Sequence, residues 1–169
     1  MTGRPRAARL QPLRPVRPLL VALPVVLLLL TGRFVAEPFE VASSSMTPTL
    51  RDGDEVLGEK LWPHLRGLRR DDLVVFHPPG TDALMVKRVV GLAGDTVALA
   101  DGRLVVDGRP VPEAYVDLPS VDGVYYGPVT VPAGSVFVLG DDRASSVDSR
   151  SFGPVPRDRV VGRVLTRLW

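Results

Sequence analysis

The sequence predicts a mostly β domain of coiled, barrel-like antiparallel sheets set behind one N-terminal transmembrane helix. Three observations carry this expectation. Beyond residue 37 the apolar stretches are short, rich in Val and Leu, and broken by Gly, Pro and Asp, as strands and tight turns are. Seventeen Pro and 16 Gly in 169 residues leave little room for long helices in that part. Ahead of it lies one apolar run, preceded by arginines and by no acidic residue at all.

Residues 1–18 read as a basic cytoplasmic tail. Arg4, Arg6, Arg9, Arg14 and Arg17 fall there, and the first acidic residue is Glu37. With those five removed from the 21 Lys and Arg, the remainder holds 16 basic against 19 acidic residues, a balance that argues against a nucleic-acid-binding body. Residues 19–36 read as a transmembrane signal-anchor. Their apolar centre, "LLVALPVVLLLLTG", would span roughly 21 Å as a helix, short of a hydrocarbon core of about 30 Å. Snorkelling by Arg17 and Arg33 closes part of that gap. A cleavable signal peptide has a run of similar length, but "TGRFVAEPFE" offers no small-x-small cleavage site, so an anchor that is retained is the preferred reading. The arginines then stay in the cytoplasm and residues 37–169 form an extracytoplasmic domain at the cell membrane. The chain has no Cys, which excludes a thiol nucleophile, thiolate metal ligation and disulfides.

Within the body, "DEVLGEK", "DLVVFHP", "ALMVKRVVGL", "DTVALADGRLVVDGRPV", "GPVTVPAGSVFVLG" and "RVVGRVLTRL" read as strands. Asp101-Gly102 and Asp107-Gly108 mark two-residue hairpin turns. "EKLWPHLRGL" permits one short helix, and residues 112–128 read as a long loop.

In "FEVASSSMTPTL", residues 39–50, an extended backbone would put Ser43 and Ser45 on one side with Phe39 and Val41, and Ser44 on the other. Such a triplet is either a solvated turn or a held nucleophile, and a nucleophile needs a base. His64 and His77 stand beside prolines in loop-like surroundings, where a histidine is more often a surface group. Lys87, one of only two lysines, sits among apolar residues in "ALMVKRVVGL". It reads either as a desolvated amine able to accept a proton or as a lysine snorkelling at a sheet edge. "GDDRASSVDSRSFGPV", residues 140–155, is too polar for a strand. It reads either as a capped turn with solvated ion pairs or as a frame in which Ser146 bonds the lysine amine and Asp148 pairs with Arg150.

Taken in order, "SSSMTPTL" with "RDGDEVLGEK", "RRDDLVVF", "MVKRVVGLAGD" and "GDDRASSVDSRSFG" with "VPRDRVVGRV" resemble the blocks of bacterial type I signal peptidases, the membrane-bound Ser-Lys leader peptidases. The likeness runs over roughly residues 15–167. It implies Ser45 as nucleophile and Lys87 as general base. Ser43 and the Ser45 backbone N–H would form the oxyanion hole, Ser146 would orient the lysine, and Asp148 with Arg150 would support it. Phe39, Val41, Met46, Leu50 and Val86 match the walls of shallow pockets that admit small residues, hence cleavage of exported preproteins after Ala-x-Ala at the end of a signal peptide. The implied chemistry requires no cofactor and no metal, and the partners are signal peptides and membrane lipid. The sequence departs from the family pattern at Ala42, Asp71, Met85, Ala93 and Asp142, and none of these removes a proposed catalytic group. Three competing readings are a self-cleaving Ser-Lys repressor, a homologue dedicated to one secretion or conjugation substrate, and a noncatalytic anchored β binding module. The apolar run weighs against the first, and the intact Ser43, Ser45, Lys87 and Ser146 set weighs against the last.

Overall fold

The structure, a computed structural model, describes residues 36–60, 67–116 and 123–169. The expected anchor and the short helix near residue 64 lie mainly or wholly outside these residues. Among the described residues no helix is long and apolar enough to cross a membrane.

Among the described residues eleven strands follow one another: β1 (Ala36–Glu40), β2 (Glu55–Glu59), β3 (Leu73–Phe76), β4 (Met85–Gly91), β5 (Thr96–Ala100), β6 (Arg103–Val106), β7 (Arg109–Pro110), β8 (Tyr126–Thr130), β9 (Ser135–Leu139), β10 (Val155–Pro156) and β11 (Val160–Arg167). A single-turn helix, α1 (Ser149–Phe152), lies between β9 and β10. All pairings are antiparallel. A strongly curled seven-stranded sheet runs β1-β2-β11-β3-β4-β9-β10 and forms a half-barrel, while β7-β6-β5-β8 form a smaller sheet. Register shifts in β11 and near Val89 and Gly91 of β4 bend the large sheet, as bulges do.

The two Asp-Gly pairs turn where expected. Asp101 and Gly102 take φ of 54° and 73°, and Asp107 and Gly108 take 51° and 75°, the left-handed pair that a tight hairpin needs. The loop expected over 112–128 is shorter, because Tyr126–Pro128 already belongs to β8.

Burial explains the continuous apolar run of β9. In β9, Val136 and Val138 pack with Phe76, Val89 and Val160, while Phe137 and Leu139 pack on the small sheet with Val97, Leu99 and Leu104. A strand covered on both faces has no polar positions to alternate. The edges are marked differently. Each of the four edge strands contains one proline, Pro38, Pro156, Pro110 and Pro128, and none of the interior strands described contains any. Proline has no N–H to offer a further strand, so it is at home only at an edge.

Candidate active site

An apolar cleft of about 540 Å³ lies against the curled sheet. Phe39 and Val41 line one side, Met85 and Val86 of β4 the other, and Val56 and Val75 lie between. Leu84 and Val147 stand at its margin with about half of their surfaces exposed, at 51% and 57%. Ser43, Ser45 and Lys87 also line it.

Residues 43–50 are not extended. The Thr47 N–H donates to the Ser44 carbonyl at 2.9 Å and the Leu50 N–H to the Met46 carbonyl at 2.9 Å, winding the stretch into successive turns. Ser43 and Ser45 nevertheless meet, with their Oγ atoms 3.1 Å apart. The turn, not strand alternation, brings them together. Met46 and Leu50, expected on the pocket wall, are instead buried with Val41 and Val56 behind the cleft, because the winding directs them into the core. Their burial fastens the serine turn to the sheet.

Lys87 Nζ lies 2.5 Å from Ser45 Oγ. Lys87 is 3% exposed and Ser45 6%, so the pair is shielded from bulk water. Burial pushes the Lys87 amine below its ordinary value, and the carboxylates of Asp148 and Asp141 oppose that shift. The neighbouring Arg88 leaves β4 on the other side and grips Asp141 with two bonds, Nε to Oδ1 at 2.9 Å and Nη2 to Oδ2 at 2.6 Å. Asp141 Oδ2 also accepts from Thr49 Oγ1 at 2.5 Å, and the Asp142 N–H donates to the Ser45 carbonyl at 3.1 Å. The polar loop is thus bonded to the backbone of Ser45.

Asp148 is fully buried and accepts from four donors. These are the Gly140 N–H, the Arg150 N–H, Arg150 Nε at 2.8 Å and Arg150 Nη2 at 2.9 Å. Arg150 Nη2 reaches on to the carbonyls of Arg143 and Ser146. Asp148→Ala would strand these donors in the interior. It is expected to cost about 3 kcal/mol or more of unfolding free energy in a urea titration, the usual result of removing one partner of a buried pair.

Ser146 departs from expectation. Its Oγ is buried and makes no hydrogen bond in the structure, so the expected bond to Lys87 is not formed. It packs against Gly140, where an added Cβ would come within 2.2 Å of the Ser146 Oγ. The lysine amine is already engaged by Ser45. His77 is likewise occupied elsewhere, with Nδ1–H donating to the Asp82 carbonyl at 2.9 Å.

The burial and pairing of two charged residues, Arg143 and Glu113, escaped the sequence reading. Arg143, with no exposed side-chain surface, donates from Nη2 to Glu113 Oε1 at 2.5 Å and joins the polar loop to the segment after β7. Charged residues are rarely buried unless paired, and only the fold shows the pairing.

A sequence profile of the family described as "Signal peptidase, peptidase S26" matches residues 16–169. Signal peptidase I of Leptolyngbya laminosa is 41% identical over 157 residues, which cover 88% of this chain and 76% of the relative. Signal peptidase I T of Bacillus subtilis is 37% identical over 151 residues, covering 84% of this chain and 78% of the relative. The crystal structure of a signal peptidase I from Enterococcus faecalis superposes with a TM-score of 0.52 at 34% identity, covering 59% of this chain and 97% of that one.

Proposed function

Since the chain belongs to the signal peptidase family of S26 peptidases, we propose that it is a membrane-anchored serine endopeptidase that removes N-terminal signal peptides from exported preproteins after small-x-small sites. Ser45 is the nucleophile and Lys87 the general base. The observation that carries this reading is the 2.5 Å contact between Lys87 Nζ and Ser45 Oγ at the floor of an apolar cleft.

Neutral Lys87 takes the Ser45 proton as Oγ attacks the scissile carbonyl carbon. The negative charge that develops on the carbonyl oxygen is met by the Ser43 hydroxyl and the Ser45 N–H. Lys87, now an ammonium, returns its proton to the leaving amide nitrogen and the C–N bond breaks. Water then gives a proton to the same amine and its oxygen attacks the acyl carbon; the ester bond to Oγ breaks, the carboxyl product leaves, and Lys87 returns the proton to Ser45 Oγ. Every proton passes through one nitrogen.

The walls that Phe39, Val41 and Val86 present to the cleft are apolar, which supports the small apolar residues this reading assigns to the cleavage site. The segment 19–36 serves as a single-pass anchor in the plasma membrane, with residues 1–18 cytoplasmic. It would hold the cleft beside the outer lipid surface, where a signal peptide presents its cleavage point.

The test is digestion of a preprotein bearing an Ala-x-Ala site by the detergent-solubilised chain, with the cut position read by mass. A cut after the final Ala is expected. Failure to cut several accessible preproteins would overturn the reading.

A further inference from the structure

Tyr115 lies outside the cleft lining, yet it touches the residue next to the base. Its ring stacks on the Arg88 guanidinium, with Arg88 Cζ 3.7 Å from the ring centroid, within cation–π range. Its hydroxyl sits 3.0 Å from Glu113 Oε1 and 3.1 Å from Asp71 Oδ1 and shares its one proton between them. Burial and the Glu113 carboxylate push the phenol pKa upward, so Tyr115 remains a neutral donor. Glu113 is held from behind by Arg143. Asp71 takes φ of 70°, a left-handed conformation uncommon outside glycine, and its carbonyl accepts from Arg88 Nη1 at 3.2 Å. Arg88 is therefore enclosed on this side by a ring face and a carbonyl.

On its other side Arg88 holds Asp141, and the same carboxylate receives Thr49, four residues beyond Ser45. Arg88 is also the chain neighbour of Lys87. One guanidinium thus links the strand that carries the base to the turn that carries the nucleophile.

We propose that Tyr115 is a positioning residue for the Ser45 and Lys87 pair, its ring face fixing Arg88 and, through the fork to Asp141, setting how Nζ meets Oγ. The proposal rests on the catalytic roles assigned above. The charged groups acting on Lys87 are Asp141 and Asp148, paired with Arg88 and Arg150 respectively. If Arg88 is loosened, Asp141 is less well neutralised and favours the protonated lysine.

The experiment measures steady-state cleavage from acid to alkaline pH by the full chain in detergent, comparing wild type with Tyr115→Phe and Tyr115→Leu. In the Leu variant kcat is expected to fall by about tenfold, the loss that a missing ring face would bring. KM should stay within about twofold, because Tyr115 does not line the cleft. The acid limb should move to higher pH, and Tyr115→Phe should recover most of kcat. Equal kcat and pH profiles for the Leu and Phe variants would overturn the proposal, as would a loss confined to KM. An inert wild-type chain would instead overturn the dyad and the proposal with it. If the Leu variant does not fold, Tyr115→Met, a flexible filler without a ring face, is read in the same way.

Discussion

Ser45→Ala is expected to lower the rate of preprotein cleavage by at least about four orders of magnitude, as removal of a nucleophile acting in concert with its base generally does. The cleft would be unchanged, since Phe39, Val41 and Val86 are untouched, so the variant should still bind a signal peptide with near wild-type affinity. The fold should survive. Ser45 contributes one side-chain contact to Lys87 and one to Ser43, while the turn is held by Met46 and Leu50 in the core and by the Asp142 bond to the Ser45 carbonyl. A binding titration alongside a mass-resolved cleavage assay checks both halves. If cleavage persisted at the same position, the chemistry would belong to another residue.

Lys87→Met should be equally inactive, and it should also melt at a higher temperature at neutral pH. The reason is the sign of the lysine's shift. Because burial lowers the Lys87 pKa on folding, the unfolded chain binds the proton more tightly, and below the folded pKa the native state carries the full cost of a buried ammonium. That cost shrinks as pH rises through the folded pKa and vanishes above the unfolded value of about 10.4. Met fills similar volume with no charge to desolvate. Its stabilising effect should therefore be largest at low pH and fade toward alkaline pH. For the wild-type enzyme the same shift is expected to place the acid limb of kcat/KM below the ordinary lysine value, since the base proposed above works as the neutral amine. Thermal melts of both proteins across pH, paired with a pH-rate profile, test this together. A Met variant less stable than wild type at neutral pH would contradict it.

The fold was largely legible in the sequence, because short Val-rich runs and Asp-Gly turns have few alternatives in a chain so rich in proline. The sequence singled out Ser43, Ser45 and Lys87, which the structure brings together, but not the geometry by which they meet. Ser43 and Ser45 were expected to share a strand face and instead meet across a turn, because the bonds from Thr47 to Ser44 and from Leu50 to Met46 wind the chain there. The same winding sent Met46 and Leu50 into the core. Whether Lys87 was buried or at a margin could not be read from its neighbours along the strand, because its burial comes from the serine turn and the polar loop, brought in from more than 40 residues away on either side. Tyr115 and Glu113 read only as part of a loop, and Arg143 only as one charge of a polar turn. They lie in two irregular segments with no periodicity, and their meaning is entirely in whom they touch.

The prolines at the four sheet edges bear on how this domain behaves in a crowd. A protein whose task is to receive extended polypeptide must tolerate strands beside it, and any unguarded edge would recruit its own copies as readily as a client. Breaking the hydrogen-bonding register once in every outer strand limits such self-recognition without adding charge. Pro38 also lines the cleft, so the interruption sits where an incoming chain arrives. With its outer strands interrupted in this way, the domain can stay colloidally quiet at high concentration.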